Sequence, residues 1–258
     1  MGEFDRETTY FKVTNESECH HGFQYQDGLN LLKEPFAKTG SCVPGGLYFT
    51  NFDHVVDFIS YGVFVREVLI PPESQVVKDG KFKWRTDQIW LGHRWVVEDF
   101  LRHHARTWTS RDWEIISYYP HLSESFIREF ADYINWSTIS LTYKISEALI
   151  RDFIDRVDWT SISTNGLSET FIREFADRVN WSVIGRYQGL SEPFIREFAD
   201  RLDWSEISRC QKLSETLIRE FADRLDWYEI SLYQELPESL IHEFGDRLAW
   251  SIVGTRRR

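Results

Sequence analysis

The stretch LSETLIREFADRLDW, residues 213–227, decides the fold. Ser214 stands where an N-cap hydroxyl accepts a free backbone N–H, and Glu215 follows at the first helical position, where the helix macrodipole favours a carboxylate. Leu213 before the cap and Ile218 at the fourth helical position have the spacing of a hydrophobic staple. Asp226 then precedes Trp227 as the cap of a second, shorter helix. Outward from this stretch the same punctuation recurs. Trp113, Trp136, Trp159, Trp181, Trp204, Trp227 and Trp250 are separated by 23, 23, 22, 23, 23 and 23 residues. Self-similarity at a fixed period means a stacked array, because one unit alone cannot bury its apolar face.

Six copies run from Trp113 to Ala249, and a stub of a seventh follows. Ser123, Ser146, Ser168, Ser191 and Ser214 take the cap position, with Pro237 replacing the serine in the sixth copy and Pro193 tolerated in a first turn. Asn135, Asp158, Asn180, Asp203 and Asp226 repeat the cap of the short helix, which Ala249 lacks. Phe126, Ile127, Phe130 and Ile134 form one stripe of helical period, so each copy reads as helices of about 11 and 7 residues joined by two turns. One residue is missing around Asn165-Gly166, a turn signal. The Trp and Phe positions share the face of Ile and Leu and therefore read as core, stacking Trp against Phe. Arg173-Glu174, Arg196-Glu197 and Arg219-Glu220, with Asp177-Arg178, Asp200-Arg201 and Asp223-Arg224, are placed to form ladders between copies on a solvated face.

Residues 1–95 lack the period. Tyr10-Phe11-Lys12-Val13, Gly46 to Thr50, Val63 to Ile70 and Gln88 to Leu91 look like strands, and Asn51 is placed to cap a helix through Ile59. Residues 92–112 read as a helical segment whose Val96, Val97, Phe100 and Leu101 cover the first repeat. The fold class is thus an α+β N-terminal module followed by an α-solenoid of six helical-hairpin repeats. The division expected is 1–95 for the head, 96–112 for the coupling segment and 113–258 for the repeats.

Composition excludes several function classes. The net charge is −11, and residues 114–250 hold 14 Lys/Arg against 25 Asp/Glu. Phosphate-backbone binding draws its affinity from a basic stripe, so nucleic acid is disfavoured as a partner, whereas a basic protein would be attracted. No run approaches the roughly 18 apolar residues of a membrane span, and the N-terminus has no secretory pattern. Cys19, Cys42 and Cys210 are too few for a disulfide framework, which points to a reducing, cytoplasmic setting. Cys19-His20-His21 has no second ligand cluster, Gly45-Gly46 lacks a phosphate-loop pattern, and no cofactor or metal is expected. Lys81-Phe82-Lys83-Trp84-Arg85 is the one basic and aromatic run. Arg256, Arg257 and Arg258 form a short basic tail.

Capping, packing and solubility account for most repeated positions, which leaves the connectors between helices as the place for recognition. Tyr118, Tyr143, Arg186, Tyr187, Arg209 and Tyr233 are of residue types enriched at binding hot spots and are the candidate partner-binding residues. The reading is a non-enzymatic interaction protein with a protein partner.

Two resemblances bear on the head. The order His21-Gly22, Gly46-Leu47-Tyr48-Phe49, Tyr61, Arg66-Glu67-Val68 and Asp87-Gln88-Ile89 resembles that of ADP-ribosyltransferases. That resemblance implies His21 as a ribose anchor and Tyr48 and Tyr61 as nicotinamide contacts. Asp87 stands where the family has a glutamate, implying a degenerate NAD-binding head with His21, Tyr48 and Asp87 as its catalytic set and the repeats as substrate adaptor. The segments from His21-Gly22-Phe23-Gln24-Tyr25 through Pro44-Gly45-Gly46-Leu47-Tyr48-Phe49-Thr50 and Val65-Arg66-Glu67-Val68-Leu69-Ile70-Pro71 are similar to the N-terminal module of uncharacterised repeat proteins of large DNA viruses of amoebae, of the mimivirus and marseillevirus kind. That resemblance implies a viral protein of the host cytoplasm or the virion that binds viral or host proteins.

Overall fold

A computed structural model describes residues 4–251, and the chain divides between Asn135 and Trp136 into two compact units. The expected basic tail, Arg256 to Arg258, lies outside the described residues.

The first unit is built on antiparallel sheets. A four-stranded sheet has the order β1 (Tyr10–Thr14), β6 (Phe64–Leu69), β9 (Gln88–Val96) and β4 (Gly28–Leu31). A three-stranded sheet has the order β5 (Leu47–Phe49), β8 (Lys83–Thr86) and β7 (Val76–Asp79), and β2 (Cys19–His20) pairs with β3 (Phe23–Gln24). Phe11 and Thr50 exchange backbone hydrogen bonds of 2.7 and 2.8 Å, tying β1 to the end of β5. Tyr10, Phe49 and Trp84 form an aromatic core, with Tyr10 edge-on to Phe49 at 5.0 Å and Phe49 stacked on Trp84 at 6.0 Å. The strands expected around residues 10–13, 46–50 and 63–70 are present. The short strands β2, β3, β4, β7 and β8 carry too few alternating residues to stand out in sequence.

Two expectations for this unit are corrected. Asn51 caps no α-helix: Phe52–Tyr61 is a 3₁₀ segment, and the Asn51 side chain makes no capping bond. Its buried residues are Val55, Val56 and Ile59. Gly62 follows it, and glycine is required there because a Cβ would stand 2.0 Å from the Thr14 carbonyl oxygen. The segment after Leu91 does not begin as helix. β9 runs on to Val96, pairing with β6 as far as Phe64, and only then does α1 (Val97–His103) start. Val97, Phe100 and Leu101 are buried as expected, whereas Val96 is half exposed. The helices α2 (Ser110–Ser117) and α3 (Glu124–Glu129) complete the unit.

α1 serves α3 as a preceding repeat would. The Glu98 carboxylate accepts the backbone N–H of the cap residue Ser123 at 2.5 Å, and Arg102 donates to Glu129 at 2.8 Å while lying over the Phe126 ring. In the second unit Glu147 accepts from Ser168 and Arg151 donates to Glu174, also over a phenylalanine, Phe171. The sequence Glu98-Asp99-Phe100-Leu101-Arg102 matches Glu147-Ala148-Leu149-Ile150-Arg151 at the glutamate, the two large apolar residues and the arginine, and differs in kind at Asp99.

The second unit is a run of paired helices: α4 (Trp136–Thr142) and α5 (Glu147–Asp152), α6 (Trp159–Ile162) and α7 (Glu169–Glu174), α8 (Trp181–Tyr187) and α9 (Glu192–Glu197), α10 (Trp204–Cys210) and α11 (Glu215–Glu220), α12 (Trp227–Tyr233) and α13 (Glu238–Glu243). The serine caps accept the N–H three residues on, as at Ser191 from Phe194 and Ser214 from Leu217. Asp158, Asn180, Asp203 and Asp226 cap the short helices. Each tryptophan packs on the phenylalanine that follows: Trp136 on Phe153 at 4.6 Å, Trp181 on Phe198 at 4.8 Å and Trp204 on Phe221 at 4.6 Å.

The helix expected to be the longer of each pair, at about 11 residues, has six, fewer than the seven of α4, α8, α10 and α12, for a physical reason visible in the same motif. The Trp181 indole N–H donates to the Ala176 carbonyl oxygen at 2.9 Å, and Trp204 and Trp227 do the same to Ala199 and Ala222. An arginine one repeat on also reaches that oxygen, Arg201 to Ala176 at 3.1 Å. Side chains thus take carbonyls that a continuing helix would have used, and the backbone turns at Phe-Ala-Asp-Arg instead.

Candidate protein-binding surface

Three columns of side chains, each spaced by one repeat, tie the pairs of the second unit together. Arg151, Arg173, Arg196 and Arg219 each bond a glutamate of the following repeat, Glu174, Glu197, Glu220 and Glu243, at 2.7–2.8 Å. Arg178, Arg201, Arg224 and Arg247 reach back to Asp155, Asp177, Asp200 and Asp223 at 2.6–2.8 Å. The expected charge ladders therefore form, with each arginine joined to a carboxylate of the neighbouring copy. The carboxylates of the second ladder stay largely in water: the Asp177 and Asp200 side chains are 89% and 94% exposed.

The third column lies in the connectors, which sequence reading treats as free. Gln211 donates to the carbonyl oxygens of Gly185 and Gln188, both at 2.7 Å, and accepts the Leu190 N–H at 3.0 Å. Gln234 repeats this with Ser208, Gln211 and Leu213, and Gln188 with Ser163, Asn165 and Leu167. These amides close the connectors by satisfying main-chain groups that no helix uses. The signal was present in the sequence as glutamine at 188, 211 and 234, a spacing of 23 and 23.

Against this frame the candidate residues occupy three neighbouring columns rather than one. Tyr187 and Tyr233, 58% and 54% exposed, end α8 and α12 at equivalent positions, with exposed Cys210 at the same position on the intervening α10. Arg186 and Arg209 stand one residue earlier. Both converge on Glu206, Arg186 Nε at 3.0 Å and the Arg209 guanidinium at 2.7 Å, and Arg186 also lies 5.9 Å from the Tyr187 ring. Glu206 is held below the usual carboxylate range, chiefly by its bond to Arg186. Tyr143 falls in the glutamine column, where it is half-buried. Tyr118 belongs to the first unit and is exposed at the end of α2. The structure thus brings together Arg186, Tyr187 and Arg209 around Glu206, with Tyr233 one helix beyond, since α10 packs against both α8 and α12.

In the first unit the residues matched to ADP-ribosyltransferases stand on different elements. His21 is exposed in the turn between β2 and β3, with φ of 49°. The Tyr48 hydroxyl donates to the Val43 carbonyl oxygen at 2.6 Å, and Tyr61 is exposed at the end of the 3₁₀ segment. The Asp87 carboxylate accepts the Gln75 backbone and side-chain N–H groups at 2.9 and 3.0 Å, fixing the loop before β7. A cleft of about 390 Å³ opens elsewhere in this unit, beside Asn51, Lys78 and Lys81. Among the described residues no group of three His, Cys, Asp or Glu side chains is arranged to hold a metal ion, and no helix is long and apolar enough to cross a membrane.

Comparison with known proteins places the chain among viral sequences. No family model matches, and no solved structure matches. The chain is 41% identical over 105 residues to "Putative ankyrin repeat protein R868" of Acanthamoeba polyphaga mimivirus, a match covering 38% of this chain and 50% of that protein. It is 35% identical over 105 residues to "Putative ankyrin repeat protein R229" of the same virus, covering 35% of this chain and 34% of that one. The chain thus spans half or less of the length of these two relatives. The 22- or 23-residue period of its own repeats is shorter than the roughly 33 residues of an ankyrin unit. A third match, "Uncharacterized protein R869", is 40% identical over 95 residues, 35% of this chain and 69% of that protein, and on this the chain belongs to the family of that Acanthamoeba polyphaga mimivirus protein.

Proposed function

We propose that the protein is a non-enzymatic interaction protein whose helical repeats present the α8–α10–α12 edge to a protein partner. The observation that carries the reading is the arrangement around Glu206. Arg186 and Arg209 are fixed by one carboxylate, so little side-chain entropy is left to lose when a partner docks, and exposed Tyr187 and Tyr233 flank them as amphipathic anchors. The names of the relatives, which describe putative ankyrin repeat proteins, support a role in binding proteins. The net charge of −11 and the water-exposed aspartates of the back ladder support a basic partner, drawn in by long-range attraction. Free cysteines, two of them exposed, support the reducing cytoplasm of an infected cell as the setting.

The test is proximity labelling by the full chain in infected amoebae, followed by titration of the purified chain with the partner so identified. The double variant Tyr187→Ala/Tyr233→Ala should weaken that binding by at least tenfold with an unchanged far-UV spectrum, as truncation of two aromatic anchors does. Unchanged affinity would remove this edge from the interface.

A further inference from the structure

The cleft of the first unit is lined by residues from five separate segments: Asn51 and His54 at the start of the 3₁₀ segment, Lys78 at the end of β7, Lys81 and Phe82 in the following turn, the buried Trp84 on β8, and Arg111 on α2. Its charge runs against that of the chain. In a protein of net charge −11, Lys78 and Lys81 stand at one opening, and among the described residues neither has a carboxylate within ion-pair distance. Arg111 is already tied to Asp57, which leaves Asp53 as the one lining carboxylate against two ammonium groups without an ion-pair partner. The cleft therefore favours an anion.

Two further observations narrow the ligand. Asn51 lines this cleft, and its side-chain oxygen is buried without a hydrogen-bond partner, so a small rotation of the amide would let it take a donor such as a ligand hydroxyl. The Phe82 ring is already engaged, with His54 at 4.2 Å and the Lys81 ammonium at 4.9 Å. It offers poor stacking to a nucleobase or to single-stranded RNA, whose binding leans on open aromatic faces. A volume of about 390 Å³ suits a small molecule rather than a chain.

We propose that this cleft binds a hydroxylated phosphate ester of sugar-phosphate size, Lys78 and Lys81 taking the phosphate and Asn51 a hydroxyl. The site is separate from the repeat edge and stands or falls independently of it. The test is calorimetric titration of the full chain with fructose bisphosphate, fructose and inorganic phosphate. The bisphosphate is expected to bind with a dissociation constant below about 1 mM, and fructose not at all. In Lys78→Gln/Lys81→Gln the affinity falls at least tenfold with the melting temperature unchanged, since both side chains are exposed. Asn51→Ala weakens the ester but not inorganic phosphate. Cosedimentation with phosphatidylinositol-phosphate vesicles, abolished by the same double substitution, would keep the chemistry and place it on a lipid headgroup. No binding at millimolar bisphosphate, affinity indifferent to the two lysines, or lysine-dependent binding of oligouridylate tighter than that of the ester overturns the proposal.

Discussion

The side-chain amide of Gln211 donates to the main-chain oxygen of Gln188 at 2.7 Å, so a glutamine of one repeat closes the connector of the repeat before it. Both residues are buried, at 6% exposure. Gln211→Leu would keep the volume and strand the oxygens of Gly185 and Gln188 and the N–H of Leu190. The expected loss is about 1–3 kcal/mol of unfolding free energy, read as a lower urea midpoint. A midpoint equal to that of the parent would mean that water replaces the amide.

The two kinds of tryptophan position should behave differently. Trp204 is 9% exposed, packs on Phe221 and donates to Ala199, whereas Trp250 is 55% exposed. Trp204→Ala is expected to cost about 3–5 kcal/mol through the cavity and the lost bond. Trp250→Ala should cost under about 1 kcal/mol, because most of its surface is already wet. Thermal unfolding of the two variants side by side checks the contrast.

Glu98 should matter to α3 although it lies outside the Trp-marked repeats. Glu98→Ala removes the acceptor for the Ser123 N–H and a neighbour of Arg102. A loss of about 1–2 kcal/mol is expected, with faster amide exchange concentrated in residues 123–129. Protection unchanged across α3 would show that α1 merely abuts it.

Stability of the first unit should rise with pH in two windows. Burial lowers His20 to about 4 and Lys12 to about 7, each below its ordinary value. For Lys12, burial outweighs the bond to the Tyr48 oxygen at 3.0 Å and the Tyr25 ring at 4.4 Å, which favour the ammonium. In both cases the unfolded chain binds the proton more readily than the folded one, so unfolding free energy increases with pH wherever the two states differ in protonation. The increase falls between about 4 and 6.5 for His20 and between about 7 and 10.5 for Lys12. Lys12→Met should flatten the upper window in a series of urea titrations and narrow the lower one without abolishing it, because burial is the larger cause of the His20 shift and the Lys12 charge the next. A slope that survives this substitution would assign it to another group.

The repeats were legible because their signals are local. Caps, staples and the tryptophan period each act within a few residues, and the serine caps lie where the sequence puts them. Helix length was not legible, since it depends on the Trp181 indole finding the Ala176 oxygen and on Arg201 arriving from the next copy. The head was read least well: β4 is four residues long and pairs with a partner far along the chain, Gly28 to Leu91, and β8, also four residues, is held between its neighbour β7 and the distant β5, Phe49 to Trp84. Of the candidate surface, the residue types were readable but the grouping was not. Nothing within Arg186-Tyr187 announces that Glu206, 20 residues on, will hold the arginine.

The missing residue at Asn165-Gly166 bears on how such a chain can change. Gln188 forks to Ser163 and Asn165, two apart, where Gln211 forks to Gly185 and Gln188, three apart. A flexible amide spans either gap, so the loss is absorbed at the surface while Ile162 and Leu167 on either side remain buried. The connector is thus the hinge of the reading frame's freedom, where a gene could add or drop a codon and leave the interior undisturbed.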